Sequence, residues 1–245
     1  MQIEFDWSVL WRAPYGDWVA SAILTTIELS LVSWVIALFL GTIIGILRAS
    51  PHRPMRMLAT AHVEVFRNIP LLVQLFFAYY VLPRLLPMEL RRELFDLGWE
   101  MGSAILTLSL YSSAKIAEHV RAGANAVEHQ VKSAALSTGL TWWKAQRFVI
   151  MPLLLRVIVP NLTTEFVTIF KSSSIAMTVG VAETSYLTQN LGLQTFHWIE
   201  ANTLGTMVYL TCAWAVAGSM AIIEHCVRVP GLLRREGTDP HVSAR

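Results

Sequence analysis

The stretch KSAALSTGLTWWKAQRFVIMP, residues 132–152, decides the fold of this chain. It lies between two apolar runs, yet its first half is too polar to cross a bilayer. Helix-forming residues lead to Gly139, two tryptophans and two basic residues follow, and Pro152 closes it. Its place depends on what surrounds it. The chain has 245 residues, of which 54% are hydrophobic and only 15% charged, where soluble domains carry about 25% charged residues. Mean hydropathy is +0.50. The composition is that of an all-α protein crossing a membrane several times. The net charge of +2 gives no broad basic field for nucleic acid.

A membrane-crossing helix needs about 20 mostly apolar residues. Five candidates meet that need, at about 22–47, 59–82, 101–117, 153–170 and 203–227. The second has Pro70 inside it, and the fourth is interrupted at Pro160. The mixed segment 172–193 reads as a break followed by a short apolar helix or re-entrant piece. Gly41 and Gly45 share one face of the first span, where small residues let a neighbouring helix approach; a lipid-facing placement fits the spacing equally well. Cys212 and Cys226 lie about four turns apart in the last span, too far for a bridge within one helix. Acidic residues and the lack of a basic start argue against a cleaved signal peptide at 1–19. Residues 229–245 form a short polar tail.

Basic residues orient the spans. Arg48, Arg53 and Arg56 follow the first span, and Arg121, Lys132, Lys144 and Arg147 follow the third. Acids dominate the N-terminal segment and the loop holding Glu89, Glu93, Asp96 and Glu100. The expected topology has the N-terminus outside and both the 118–151 loop and the tail in the cytoplasm. That loop is roughly thirty residues long, where about 4–6 is usual. Its pattern reads as helix, left-handed glycine turn at Gly139, then a second helix capped by Thr141. Such a pair can take a push from a soluble partner, or can simply cap the bundle.

These residues carry a resemblance. Ala134-Ala135, Gly139 and Val149-x-Met151-Pro152 match the E-A-A-x3-G-x9-I-x-L-P signature of ABC importer permeases. VEVFRNIPLLVQLFFAYYVLP, AEHVRAGANAVEHQ and VPNLTTEFVTIFKSSSIAMTVGVAE resemble, in order, further segments of the polar amino-acid uptake permeases. RNIPLLVQ and KSAALSTG are most similar to the glutamate/aspartate subgroup. The signature's glutamate is replaced by Ser133, a departure that this subgroup shares. The resemblance implies a type I ABC importer permease fold over 20–228 in a bacterial inner membrane. It implies a second permease subunit, identical or paralogous, two ATP-binding subunits and an extracytoplasmic substrate-binding protein. Ser133, Ala134, Ala135, Gly139, Leu140 and Pro152 would form the docking element for the ATPase. The chain has no G-x-x-x-x-G-K-[ST] phosphate loop. ATP and magnesium therefore belong to the partner, this chain holds no cofactor, and it is not an enzyme.

Ionisable residues within spans are costly and point to function. An acidic amino acid needs a cation on its path. Lys115 is the first candidate, standing where related permeases commonly carry tyrosine; a lysine there can also snorkel to the membrane surface. Lys171, followed by Ser172 and Ser173 at a helix break, is the second; it can instead pair with Glu165. Glu165 and Asn68 complete the expected path. Glu64 and Arg67, three residues apart, read as a local pair. Glu118-His119 and Glu128-His129 lack metal-ligand spacing and are not read as a metal site. The substrate reading is glutamate or aspartate, with glutamine, basic or broad polar specificity as the alternative. A membrane-embedded enzyme or a channel subunit ranks behind both.

Overall fold

The computed structural model describes residues 5–227, and their side chains except at 124–133, 135, 136, 142, 143 and 146. The described residues are nearly all helical. Helix α1 (Tyr15–Arg48) is 34 residues long. Its buried positions include Ala22, Ser30, Ser33, Ala37, Gly41 and Gly45, while Leu24, Val35, Phe39 and Ile46 face outward. Small residues inside and large apolar ones outside is the arrangement expected where lipid is the solvent. Apolar surface then gains nothing by turning inward, and close backbone contact holds the helices together.

The helix that meets this small-residue stripe is α5 (Trp99–Ser137), 39 residues long. A β-carbon on Gly41 would lie 2.7 Å from Ile116 and 2.8 Å from the Ser113 carbonyl. On Gly45 it would lie 2.7 Å from Val120. The glycine pair therefore faces α5 rather than lipid. The two helices run parallel: Ser109 of α5 donates to the Ser33 carbonyl at 3.3 Å, one level above the Gly41 contact.

Between them the chain does not return as one helix. Helix α2 (Arg53–Asn68) and helix α3 (Leu71–Phe76, wound on through wider and tighter turns to Leu85) meet at 106°. The single span expected over 59–82 is thus sharply bent. Pro70 is the cause: it forces Ile69 into an extended conformation (φ −93°, ψ 131°) and offers no N–H. Gln74 occupies the break, donating to the carbonyls of Phe66 at 2.9 Å and Ile69 at 2.7 Å. Helix α4 (Met88–Asp96) is a short polar connection with no buried residue.

After α5, a single turn α6 (Trp142–Ala145) and a wide π turn lead into α7 (Met151–Ser172). Pro160 does not interrupt α7, contrary to the sequence expectation. Polar side chains of the same helix shield the carbonyls nearby, Asn161 bonding Val157 and Thr163 bonding Val159. Such local partners are how membrane helices tolerate proline. A 3-10 turn (Ser173–Val179) ends at Gly180 with φ +92°. Helix α8 (Thr184–Thr195) and the long α9 (Trp198–Val227) complete the bundle.

The main core joins α1, α5, α7 and α9 through Trp34, Ile116, Ile158, Phe166, Ile169 and Met220. Trp34 and Phe166 stack at 4.5 Å with planes 11° apart. By length and composition α1, 147–179 and 198–226 can each cross a membrane, and the α2–α3 pair supplies a fourth crossing if it counts as one. The expected third span is the first half of α5. Its inward Ser103, Thr107, Ser109, Ser112 and Ser113 lower its hydropathy. The 229–245 tail lies outside the described residues.

Candidate functional site

Antiparallel packing of α5 and α7 brings three ionisable side chains together. Lys115 Nζ lies 3.6 Å from Glu165 Oε2, and His119 Nε2 lies 3.7 Å from Glu165 Oε1. Lys115 and His119 are one turn apart, so both project from the same face of α5. Glu165 is 8% exposed. Its Oε2 has no hydrogen-bond partner, because both cations stand beyond hydrogen-bond distance. Lys115 also lies over the Tyr111 ring, 4.6 Å from its centre, a cation–π contact that holds the ammonium in the bundle. The cluster therefore offers a cation and an anion side by side, each incompletely satisfied.

The other expected path residues do not join it. Lys171 is exposed, two turns along α7 from Glu165, and the expected alternative pairing of those two is not formed. Ser172 lines a narrow apolar cleft with Leu71, Leu75 and Thr107. Ser173 is fully buried and donates to the Phe170 carbonyl at 2.7 Å. The helix break there leaves fewer open backbone donors than expected, since the chain continues as a 3-10 turn. Asn68 donates to Glu64 at 3.1 Å on the exposed side of α2. Glu64 is thus not paired with Arg67, whose guanidinium reaches Glu118 at 3.6 Å. Glu118 and His119 diverge, one toward arginines and one toward Glu165, and no metal-binding group occurs among the described residues.

The 132–152 stretch differs in form from the two separate helices expected. Nothing between 117 and 137 breaks the helix, so its first half is simply the end of α5. Gly139 then takes φ +83°, the left-handed turn expected of it. The second half is one turn of α6, continuous through the π turn at Gln146–Ile150 with α7. Pro152 sits in the first turn of α7, where its missing N–H is harmless, but it cannot donate to the turn before it, and the backbone widens there. Ala134 and Gly139 are exposed; Leu140 and Pro152 are half-buried. The side chains of Ser133 and Ala135 lie outside the described residues.

A second polar group sits where α8 begins. Glu183 is fully buried and caps α8, accepting from the backbone N–H groups of Ser185 at 2.9 Å and Tyr186 at 3.0 Å. It also accepts from the Tyr209 hydroxyl of α9. Beside it the hydroxyls of Thr26 and Thr184 are 2.8 Å apart, joining α1 to α8. At the same end Asp6 N donates to Glu200 at 2.8 Å, and Val9 and Leu10 pack on Leu191 and Ala201. The Ser8 hydroxyl and amide hold the Asp6 carboxyl below the usual aspartate range.

Residues 37–229 match the family of binding-protein-dependent transport system inner membrane components. The chain belongs to this family. The permease is 37% identical over 241 residues to the glutamate/aspartate import permease protein GltJ of Escherichia coli (strain K12), covering 94% of this chain and 98% of that one. It is 28% identical to the arginine transport system permease protein ArtQ of Bacillus subtilis (strain 168), over 85% and 90% of the two chains. Its fold superposes on a solved amino acid ABC transporter with TM-score 0.75 at 26% identity, covering 92% of this chain and all of that one. The permease is a non-catalytic membrane component, and ATP hydrolysis belongs to a separate subunit.

Sequence reasoning missed two features of the permease. Glu183 lies outside the apolar runs counted as spans, yet it is the single acid in the otherwise uncharged 172–193 stretch, and that isolation is a usable signal. His119 enters the sequence reading only beside Glu118 as a rejected metal pair, yet its spacing of four from Lys115 is the clue to a shared face.

Proposed function

We propose that this permease forms half of the translocation path of an ATP-driven importer for acidic amino acids, glutamate and aspartate. The observation that carries the reading is the Lys115–Glu165–His119 cluster. A substrate carboxylate would take Lys115 and His119 as partners in place of Glu165, and the released Glu165 would meet the substrate ammonium. The likeness to the glutamate/aspartate permease supports the acidic choice. Lys171, exposed on α7 with Asn161 and Thr164, would extend a polar wall toward the second permease subunit, with Ser172, Ser173 and Asn68 as lesser contributors. Two ATP-binding subunits would dock at the Gly139 turn, through Ser133, Ala134, Ala135, Leu140 and Pro152. A substrate-binding protein would deliver from outside, where the N-terminus lies, with the tail in the cytoplasm. ATP-driven closure of the partners would favour one of two pathway states through its differential contacts.

A second reading is a permease for polar amino acids at large. It is favoured by the balance of charge: one lysine facing one glutamate suits any zwitterion, and an arginine permease is also similar.

The test is the complex reconstituted in vesicles, with ATPase activity measured across acidic, amide and basic amino acids. Stimulation by glutamate and aspartate alone, lost in Lys115→Ala, is the expected result. Unchanged selectivity in that variant would place the site elsewhere.

A further inference from the structure

Lys115 and Glu165 bring one positive and one negative charge to the α5–α7 cluster, and the two cancel. The residue left to set the sign of the site is His119. Its Nε2 lies 3.7 Å from Glu165 Oε1, on the face of α5 that carries Lys115. Its side chain is 30% exposed, so protons reach it without parting the helices. Imidazole is the side chain whose charge ordinarily changes between about pH 5 and 8.

The other charges nearby are fixed or turned away. From α7 the group that faces His119 is Glu165; from α5 it is Lys115, one turn away, with the Tyr111 ring beyond it. Glu118, the preceding residue, points elsewhere and gathers Arg48 of α1, Arg67 of α2 and Arg121 of α5. Where α9 joins the core it brings Val216, Met220 and the Cys212 thiol. Lysine and arginine stay charged over the range in which imidazole titrates. Their field is constant there, and that of His119 is not.

The inference rests on the substrate reading above and sharpens it. A neutral amino acid such as glutamine brings one carboxylate and one ammonium, which Lys115 and Glu165 match. Glutamate and aspartate bring a second carboxylate. Lys115 is then already taken, and a carboxylate left without a cation in a partly dry site is costly. Protonated His119 supplies that cation. Neutral imidazole supplies one N–H donor and no charge, which suits a carboxamide as well as a carboxylate. We propose that His119 is the specificity-determining residue of this site: protonated, it selects acidic amino acids, and neutral, it admits uncharged polar ones.

The experiment uses the importer complex in vesicles without its binding protein, so that the membrane site alone is read. Equilibrium binding of radiolabelled glutamate and of glutamine is measured from about pH 5.5 to about pH 8.5, the range that spans imidazole titration. The preference for glutamate should fall about tenfold as pH rises, a factor equal to ~1.4 kcal/mol. His119→Gln should hold the low preference at every pH, and His119→Lys the high one. A preference independent of pH in the wild type would overturn the proposal, as would the wild-type slope in His119→Gln, which would move the titration to Glu165. Lys115→Ala tells this failure from that of the substrate reading. If it abolishes binding of both ligands while the wild type shows no pH dependence, His119 alone is struck. If it leaves both unchanged, or if the wild type binds neither ligand saturably, the site lies elsewhere and both fall.

Discussion

Lys115 and Glu165 oppose each other across the α5–α7 contact with 3.6 Å between Nζ and Oε2, in salt-bridge range but short of a hydrogen bond. Deleting one partner of a buried ion pair costs about 3–5 kcal/mol. Lys115 keeps 26% of its side chain exposed, so solvent moderates the loss to about 1–3 kcal/mol. Lys115→Met should lower the thermal midpoint in detergent, and Lys115→Met with Glu165→Gln should recover most of it. Equal midpoints for the single variant and the wild type would mean that the two charges do not sense each other.

Gly41 leaves no room for a side chain. Its hypothetical β-carbon falls 2.8 Å from the Ser113 carbonyl, a backbone atom that cannot rotate away. Gly41→Ala should therefore separate α1 from α5 and destabilise the fold by about 1–3 kcal/mol, the usual cost of overpacking. The helix propensity of alanine works in the opposite sense by about 1 kcal/mol, so a stabilised variant would refute the close approach.

Gly139 presents the reverse case. A β-carbon there meets nothing within 4 Å, but φ is +83°. The constraint is the backbone rather than space. Gly139→Asn should be tolerated, since asparagine visits this region, whereas Gly139→Val should strain the turn by at least about 1–2 kcal/mol. In the reconstituted importer we expect Gly139→Val to keep ATP hydrolysis while transport falls. Normal coupling in that variant would exclude the turn from the docking element.

Glu183 serves two backbone N–H groups of α8 and one hydroxyl of α9 at once. Glu183→Ala should cost about 1–2 kcal/mol as a lost cap. Amide exchange at Ser185 and Tyr186 should quicken, while Glu183→Gln, which retains an acceptor, should change it less. Unaltered exchange in Glu183→Ala would show that the cap does not stabilise this end of α8.

The helices of this permease were legible because apolar runs of about 20 residues leave few other options in a bilayer. The Gly139 turn was legible because glycine alone takes that conformation freely. The bend at Pro70 and the continuity at Pro160 were not separable in advance, as both prolines sit within apolar runs. What distinguishes them is the residue environment: Gln74 reaches back to stabilise a break, whereas Asn161 and Thr163 support a continuous helix. At the candidate site, Lys115 and Glu165 could each be named from the cost of a charge in a span, but their meeting depends on the antiparallel register of two helices fifty residues apart. The role of Glu118 escaped for the same reason, since its partners Arg48 and Arg67 come from other helices.

The unbroken length of α5 has a mechanical consequence. Its 39 residues make a rod about 58 Å long at 1.5 Å per residue, with no glycine turn or proline to absorb bending before Gly139. Pivoted near its middle, where Ile116 is wedged against Gly41, such a rod tilted by about 5° would carry its two ends about 2.5 Å in opposite directions. Force applied beside Gly139 would then reach Trp99 as displacement of reversed sign, the two halves of α5 serving as the arms of one lever.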